Sequence, residues 1–107
     1  MLKLLIIIEL KMKRTAIHPG EILKDELDEL ELSASSLAEI IGVPANRVTQ
    51  IISGKRSISA DTALRLGQYF GMSADFWLNL QKMYELDTAR KKIGSSLKRI
   101  PQRKQVI

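Results

Sequence analysis

Residues 34–56 read Ala-Ser-Ser-Leu-Ala-Glu-Ile-Ile-Gly-Val-Pro-Ala-Asn-Arg-Val-Thr-Gln-Ile-Ile-Ser-Gly-Lys-Arg, and this stretch decides the fold. Its larger apolar residues recur in two runs, Leu37, Ile40 and Ile41, then Val48, Ile51 and Ile52. A spacing of three and four predicts two short helices, each with one apolar face. Between the runs, Gly42 suits the left-handed end of one helix and Pro44 the first turn of the next. We therefore predict a helix-turn-helix, whose second helix lies in the DNA major groove.

The outward face of the second helix is polar. Because Val48, Ile51 and Ile52 take the buried face, the remaining side chains must point outward. Asn and Gln can pair with adenine, and the methyl groups of Ala or Thr can touch thymine. An amphipathic helix with a solvated exterior would explain this polarity but not the framework residues around it. The predicted base-reading residues are Ala45, Asn46, Thr49 and Gln50, while Arg47 could read a base or hold a phosphate.

Residues beside the two helices suit contacts with the DNA backbone. Gly54 ends the second helix, so Lys55 and Arg56 could neutralise phosphates next to the groove without reading sequence. Ser33 is placed to cap the first helix, whose N-terminal N–H groups attract a phosphate. Further phosphate contacts are predicted for Ser35, Ser36 and Ser53.

Helices are predicted on both sides of this unit. His18 precedes Pro19 and suits a structural role at the start of a helix that runs to about Glu31. Ser59 and Gly71 mark the start and end of a fourth helix, and Ser73 starts a fifth. The chain should therefore be all-α with five helices. The inner faces of the outer helices are assigned to Ile22, Leu23, Leu27, Leu30, Ala63, Leu64, Leu66 and Phe70.

The last helix has more apolar side chains than one small core needs. Part of the set is expected in the core and the rest in a dimer interface, because a two-fold dimer matches a palindromic operator. The half-sites would then lie about 34–36 Å apart along the DNA. The candidate interface residues are Phe76, Trp77, Leu80, Met83 and Tyr84.

Composition restricts the classes of protein that remain. A chain of 107 residues suits one small domain. It has no cysteine and one histidine, which excludes disulfides, thiolate sites and multi-histidine metal sites and fits a reducing cytoplasm. With no phosphate-cradling glycine loop and no nucleophile beside a base, we predict no enzymatic activity and no cofactor.

Charge is unevenly distributed along the chain. Residues 1–31 carry five Lys or Arg and seven Asp or Glu, whereas residues 71–107 carry eight and three. The acidic front could simply be solvated, or it could attract a basic partner protein through Asp25, Asp28 and Glu29. The charged residues of the tail over 88–107 are all basic, and the tail is expected to fray. It could attract phosphates or only add solubility.

Residues 1–13 form an aliphatic run interrupted by Lys3 and Glu9. The run is far shorter than the roughly 20 apolar residues of a membrane span. The β-branched residues at 6–8 could form a short strand, or residues 1–11 could be an extension upstream of a start at Met12. We therefore divide the chain into an extension (1–13), a helix-turn-helix domain (14–87) and a basic tail (88–107).

The helix-turn-helix resembles that of the lambda-repressor-like (Xre) family at Leu37, Ala38, Gly42, Val43, Val48 and Ile51. Four further segments resemble HigA antitoxins, also called VapI-like proteins. They are His-Pro-Gly-Glu-Ile-Leu (18–23), Gly-Lys-Arg (54–56), Ala-Asp-Thr-Ala-Leu-Arg-Leu (60–66) and Phe-Trp-Leu-Asn-Leu-Gln (76–81). The match covers about residues 14–86. The resemblance implies a five-helix lambda-repressor-like domain.

The same resemblance implies a function. A HigA-like protein would neutralise a small basic ribonuclease toxin of the HigB type, which cleaves mRNA, and would repress the operon encoding both. Two other interpretations stay open. The chain could be a stand-alone or phage-type repressor with no toxin partner, or an interaction protein that uses the helix-turn-helix only as a scaffold.

Overall fold

A computed structural model describes residue 6, residues 9–10 and residues 16–104 of the chain. Residues 16–104 form five α-helices, α1 (Pro19–Leu30), α2 (Ala34–Ile41), α3 (Ala45–Ile52), α4 (Ala60–Phe70) and α5 (Ala74–Ile93), followed by a 3-10 helix (Gly94–Arg99). No strand occurs in these ranges, so the all-α prediction is confirmed. Ile6 is helical, which contradicts the strand at 6–8 for that residue, and Ile7 and Ile8 lie outside the described residues.

The helix ends follow from local capping chemistry. Ser33, Ser59 and Ser73 each accept a hydrogen bond on Oγ from the backbone N–H three residues ahead. Such a bond satisfies one of the N–H groups that a helix start leaves without an intrahelical partner. Gly42 and Gly71 end α2 and α4 in the left-handed conformation, with φ of 74° and 71°. The predicted starts and ends of these helices are therefore confirmed.

One core joins all five helices. Three residues assigned to it by periodicity are instead exposed, namely Leu30 (47%), Ile40 (52%) and Leu64 (65%). In α4 the buried positions are 62, 63, 66 and 67, so residue 64, one 100° step past 63, faces outward. The buried apolar residues packed together in this core are Ile22, Leu23, Leu27, Leu37, Ala38, Ile41, Val43, Val48, Ile51, Ile58, Ala63, Leu66, Trp77 and Leu80.

Helix α1 crosses the end of α3 in backbone contact. Gly20 lies in the first turn of α1, and a Cβ built there would overlap the carbonyl group of Ile51. Only glycine allows this approach, because any side chain would have to displace the α3 backbone. The segment before α1 is tied to α5, since Ala16 donates its N–H to Asp87 Oδ2 at 3.2 Å.

Helix α5 continues beyond the predicted domain boundary at residue 87 and ends at Ile93, before Gly94. The 3-10 helix that follows contradicts the expectation that this part of the tail frays. Its side chains and those of residues 88–93 are exposed. No helix within the described ranges is both long and apolar enough to cross a membrane.

Candidate nucleic-acid interface

Helix α3 presents a polar surface to solvent. Val48 and Ile51 are buried against α1 and α2, and Ile52 is half-buried, as predicted. On the opposite side Ala45, Asn46 and Thr49 are exposed, while Arg47 and Gln50 are half-exposed. The four predicted base-reading residues and Arg47 therefore all retain exposed surface on one short helix.

Gln50 is oriented by Arg56, a contact that sequence reasoning missed. Arg56 Nε donates to Gln50 Oε1 at 2.9 Å. The guanidinium has further N–H groups on its two terminal nitrogens, which are suited to a phosphate. Arg56 can thus hold the DNA backbone and the Gln50 amide at the same time. Besides its predicted phosphate role, Arg56 therefore holds the side chain of Gln50, which is a predicted base-reading residue.

The serines predicted to contact phosphate differ in their surroundings. Ser35 is exposed, and the Ser36 N–H is used by the Ser33 cap at 3.0 Å. Ser53 Oγ donates to the Gln50 carbonyl oxygen at 3.1 Å, so its hydroxyl proton is directed at the protein. Lys55 is exposed in the turn after α3. Lys55 and Ser35 are therefore the better placed of these candidates.

Arg47 points towards α4. Its terminal nitrogen lies 3.0 Å from Asp61 Oδ2, and Arg65 Nε lies 3.1 Å from the same oxygen. Arg65 also donates to the Ile41 carbonyl at 2.8 Å, which satisfies a free carbonyl at the end of α2. The Asp61–Arg65 pair has the i,i+4 spacing that a sequence can reveal, but the Arg47 contact spans 14 residues. The sequence analysis therefore did not predict that Asp61 and Arg65 lie beside Arg47.

A polar groove of about 380 Å³ lies between the turn of the helix-turn-helix and the start of α4. Its lining includes Arg47, Arg56 and Arg65, with Ser57, Ser59 and Asp61. Three guanidinium groups face one carboxylate, so the groove favours anions. It lies beside the helix predicted to enter DNA.

His18 joins three parts of the structure. Its Nδ1 accepts the Gly20 N–H at 2.9 Å, and its ring meets Tyr84 of α5 edge-on with centroids 4.8 Å apart. Burial lowers the pKa of His18 below its ordinary value, and a hydrogen bond with the Arg56 backbone and the charge of Glu21 oppose the shift. The predicted structural role at the start of α1 is confirmed. His18 also connects that start to the turn that carries Arg56.

Known proteins share this arrangement. A family model described as helix-turn-helix matches residues 23–77, just over half of the chain. Virulence-associated protein I of Dichelobacter nodosus is 49% identical over 80 residues, 74% of each protein. The structure of an addiction module antidote protein of the HigA family from Coxiella burnetii superposes with a TM-score of 0.81 at 48% identity, covering 85% of this chain and 100% of that one. The chain belongs to the HigA antitoxin family.

A HigA structure has also been solved with DNA. The Pseudomonas aeruginosa antitoxin HigA, determined with the higBA promoter, superposes with a TM-score of 0.76 at 47% identity, covering 80% of this chain and 95% of that one. The recognition of residues 34–56 as an Xre-type helix-turn-helix is confirmed by the family match.

The HigA-family chain buries part of its predicted dimer interface. Trp77 and Leu80 are 0% and 6% exposed within the protomer, so the assignment of these two to an interface is corrected. Both belong to the core, on the part of α5 that packs against α4. Phe76 and Tyr84 are half-buried and Met83 is 46% exposed. These three remain available as interface candidates.

Two of the acidic residues predicted to attract a partner, Asp28 and Glu29, lie on the exposed side of α1, whereas Glu26 of the same helix is buried. Asp28 is exposed and pairs with Lys24 at 3.0 Å, Glu29 is exposed, and Asp25 is half-buried. Their side chains give the second half of α1 a negative surface. Over the described residues, no group of three or more His, Cys, Asp or Glu side chains could hold a metal ion.

Proposed function

We propose that this HigA-family protein is the antitoxin and autorepressor of a toxin–antitoxin pair. It would bind a palindromic operator as a homodimer and neutralise a small basic ribonuclease toxin of the HigB type in the cytoplasm. The observation that carries the DNA part is the exposed polar face of α3, with Lys55 and Arg56 at its end. The relative solved with promoter DNA supports the same assignment.

On DNA, α3 enters the major groove with Asn46 and Gln50 towards the base edges. Arg56 binds a phosphate through its terminal nitrogens while its Nε holds Gln50, so backbone contact and base reading are linked. Lys55 adds a contact that does not depend on sequence. Repression is steric, because the dimer covers the promoter. The protein acts by binding alone, with no reaction and no cofactor.

The homodimer forms through the accessible part of α5. Met83, Phe76 and Tyr84 retain exposed apolar or aromatic surface on this helix. To bind a palindromic operator, such a dimer would have to hold its two α3 helices on one side of the duplex, about 34–36 Å apart.

The toxin docks on the acidic surface of α1. A basic ribonuclease would be drawn to Asp25, Asp28 and Glu29 by charge, which speeds association and disfavours other partners. This surface contains different residues from those predicted to touch DNA. Toxin and operator would therefore be bound by separate parts of the chain.

Co-expression with the neighbouring small open reading frame tests the antitoxin role. We expect the neighbour to arrest growth alone, to copurify with this protein and to become harmless when both are made. A triple charge reversal at Asp25, Asp28 and Glu29 should reduce copurification, whereas reversal of the exposed Glu39 on α2 serves as the control. If the product of the neighbouring open reading frame is neither toxic nor bound by this protein, the stand-alone repressor becomes the better interpretation. If the protein did not shift a fragment of its own promoter in a gel mobility assay, the proposed DNA-binding role would be wrong.

A further inference from the structure

Two arginines bind one carboxylate oxygen of Asp61, next to α3. Asp61 Oδ2 lies 3.0 Å from Arg47 and 3.1 Å from Arg65. An anionic oxygen that accepts charge-assisted hydrogen bonds from two guanidinium groups is also what a DNA phosphate offers to such a site. The carboxylate therefore occupies a place that a phosphate oxygen could take.

The two arginines are held differently. Arg65 is also bound to the Ile41 carbonyl at 2.8 Å, so it has a partner that does not depend on Asp61. Arg47 lies in the first turn of α3, between Asn46 and Val48, and its described ion pair is with Asp61. The side chains of Arg47 and Asp61 are 29% and 56% exposed. Because exposed ion pairs are weak, a phosphate at this position can displace the carboxylate from Arg47.

We propose that Asp61 is an internal competitor of DNA phosphate for Arg47. In the free protein the carboxylate binds Arg47, and on DNA a backbone phosphate replaces it. Arg65 stays bound to the Ile41 carbonyl of α2 and to Asp61 of α4. Arg47 is then a phosphate ligand, and the competition acts on every DNA sequence alike. This inference rests on the proposed DNA-binding function and adds to it a residue that sets its strength.

The test compares Asp61→Asn with a matched control, Asp75→Asn. Asp75 lies in the first turn of α5 as Asp61 does in α4, and both substitutions remove one exposed negative charge. Asp75 does not line the groove. Fluorescence anisotropy would measure binding to a duplex from the gene's own upstream region and to a scrambled duplex. Titrations would be run at about 50 and about 200 mM salt, after thermal melts show that each variant folds.

We expect Asp61→Asn to tighten binding to both duplexes by the same factor and by more than Asp75→Asn does. Arg47 neutralises one phosphate in both proteins, so their salt slopes should be similar, and the gain should shrink only as far as salt screens the Arg47–Asp61 pair of the free wild type. In an Arg47→Gln background, Asp61→Asn should have no more effect than Asp75→Asn. That background removes the arginine for which the competition occurs.

Three outcomes would overturn the inference. Asp61→Asn and Asp75→Asn could have equal effects, the gain could persist without Arg47, or Asp61→Asn could weaken binding to the upstream duplex alone. The last result would make Asp61 a support for base reading rather than a competitor. Failure of the proposed function gives a separate signal: the wild-type protein would not prefer its upstream duplex, while the Asp61→Asn gain on scrambled DNA would remain.

Discussion

At the scale of single residues, Gln50 and Arg56 form one unit. The hydrogen bond from Arg56 Nε fixes the amide of a side chain that would otherwise sample several rotamers. A base-reading amide that is already oriented loses less conformational entropy on binding DNA. In the proposed complex, the side chain that neutralises a phosphate therefore also orients the one that reads the base.

Alanine substitutions should distinguish the role of Arg56 in DNA binding from that of Lys55. Lys55→Ala is expected to weaken binding equally on all sequences and to lower the salt slope by about one. Arg56→Ala should lower the slope similarly and also relax preference at the base read by Gln50, by a fraction of the about 1–3 kcal/mol of a bidentate pair. Titrations on the operator duplex and its single-base variants measure both effects.

The Arg56→Lys variant is the control for charge. It keeps the cation but cannot reproduce the planar contact with Gln50. We expect it to retain most of the salt slope and lose the base preference. If Arg56→Ala and Lys55→Ala have identical profiles across the base variants, the linked role of Arg56 is wrong.

His18 makes stability depend on pH. Its folded-state pKa lies below its ordinary value of 6.5 because the ring is buried, so the unfolded chain binds the proton more readily. The stability gained from neutral His18 is therefore complete above about pH 6.5 and is lost as pH falls through the lower folded-state pKa. Protonation also removes the Nδ1 acceptor of the Gly20 N–H.

Melting curves at about pH 7.5 and pH 5 should show this effect. Asn is a good N-cap and does not titrate, so His18→Asn keeps an acceptor at the start of α1. We expect the wild type to lose more melting temperature on acidification than this variant. An equal loss in both proteins would show that other groups carry the pH dependence.

At the scale of elements, the crossing of α1 and α3 depends on Gly20. In an ordinary helix Gly→Ala stabilises by about 1 kcal/mol. Here the added Cβ would overlap the Ile51 carbonyl, so the sign reverses. We expect Gly20→Ala to cost about 3 kcal/mol, because a backbone carbonyl cannot yield as a flexible side chain does.

Thermal melting measures this cost. A loss of 3 kcal/mol corresponds to a decrease in melting temperature of more than about 12 °C for a domain of this size. Asn79→Ala on the exposed side of α5 is the control, since it changes helix propensity without changing a buried contact. A Gly20→Ala protein as stable as the control would show that α1 can shift away from α3.

Helix ends, helix faces and contacts between helices differ in how well they could be predicted from the sequence alone. Caps depend on residues three positions apart, so Ser33, Ser59 and Ser73 could be identified without a structure. Periodicity located the helices but not every face, because the breadth of a buried stripe depends on what packs against it; Leu64 is the example. The Arg47–Asp61 pair joins two helices, and no local rule relates their side chains.

At the scale of the whole molecule, α5 extends past the helical core. Leu86, Ile93, Leu97 and Ile100 expose between 45% and 68% of their surface along its second half and the turn that follows. The first half of the helix packs on α4 and closes the core. One element therefore serves the interior of the protomer at one end and presents apolar surface at the other.

A charge placed on this helix tests the proposed dimer. Met83→Glu is expected to dissociate it, because a carboxylate would be buried without a partner, and to weaken operator binding at least tenfold. Thr88→Glu makes the same change of charge at an exposed α5 position and should leave assembly intact. Sedimentation velocity gives the oligomeric state. A Met83→Glu protein that remains dimeric would place the interface elsewhere.

The shared oxygen of Asp61 has a consequence for how such a repressor can diverge. The predicted base-reading residues lie on the outer face of α3, whereas Asp61 is on α4 and forms an ion pair with Arg47 of α3. A change at residue 61 would then alter how tightly a gene is silenced and leave intact which gene is recognised. A substitution at this one carboxylate could therefore change the strength of repression in evolution, while the operator sequence recognised by α3 stays the same.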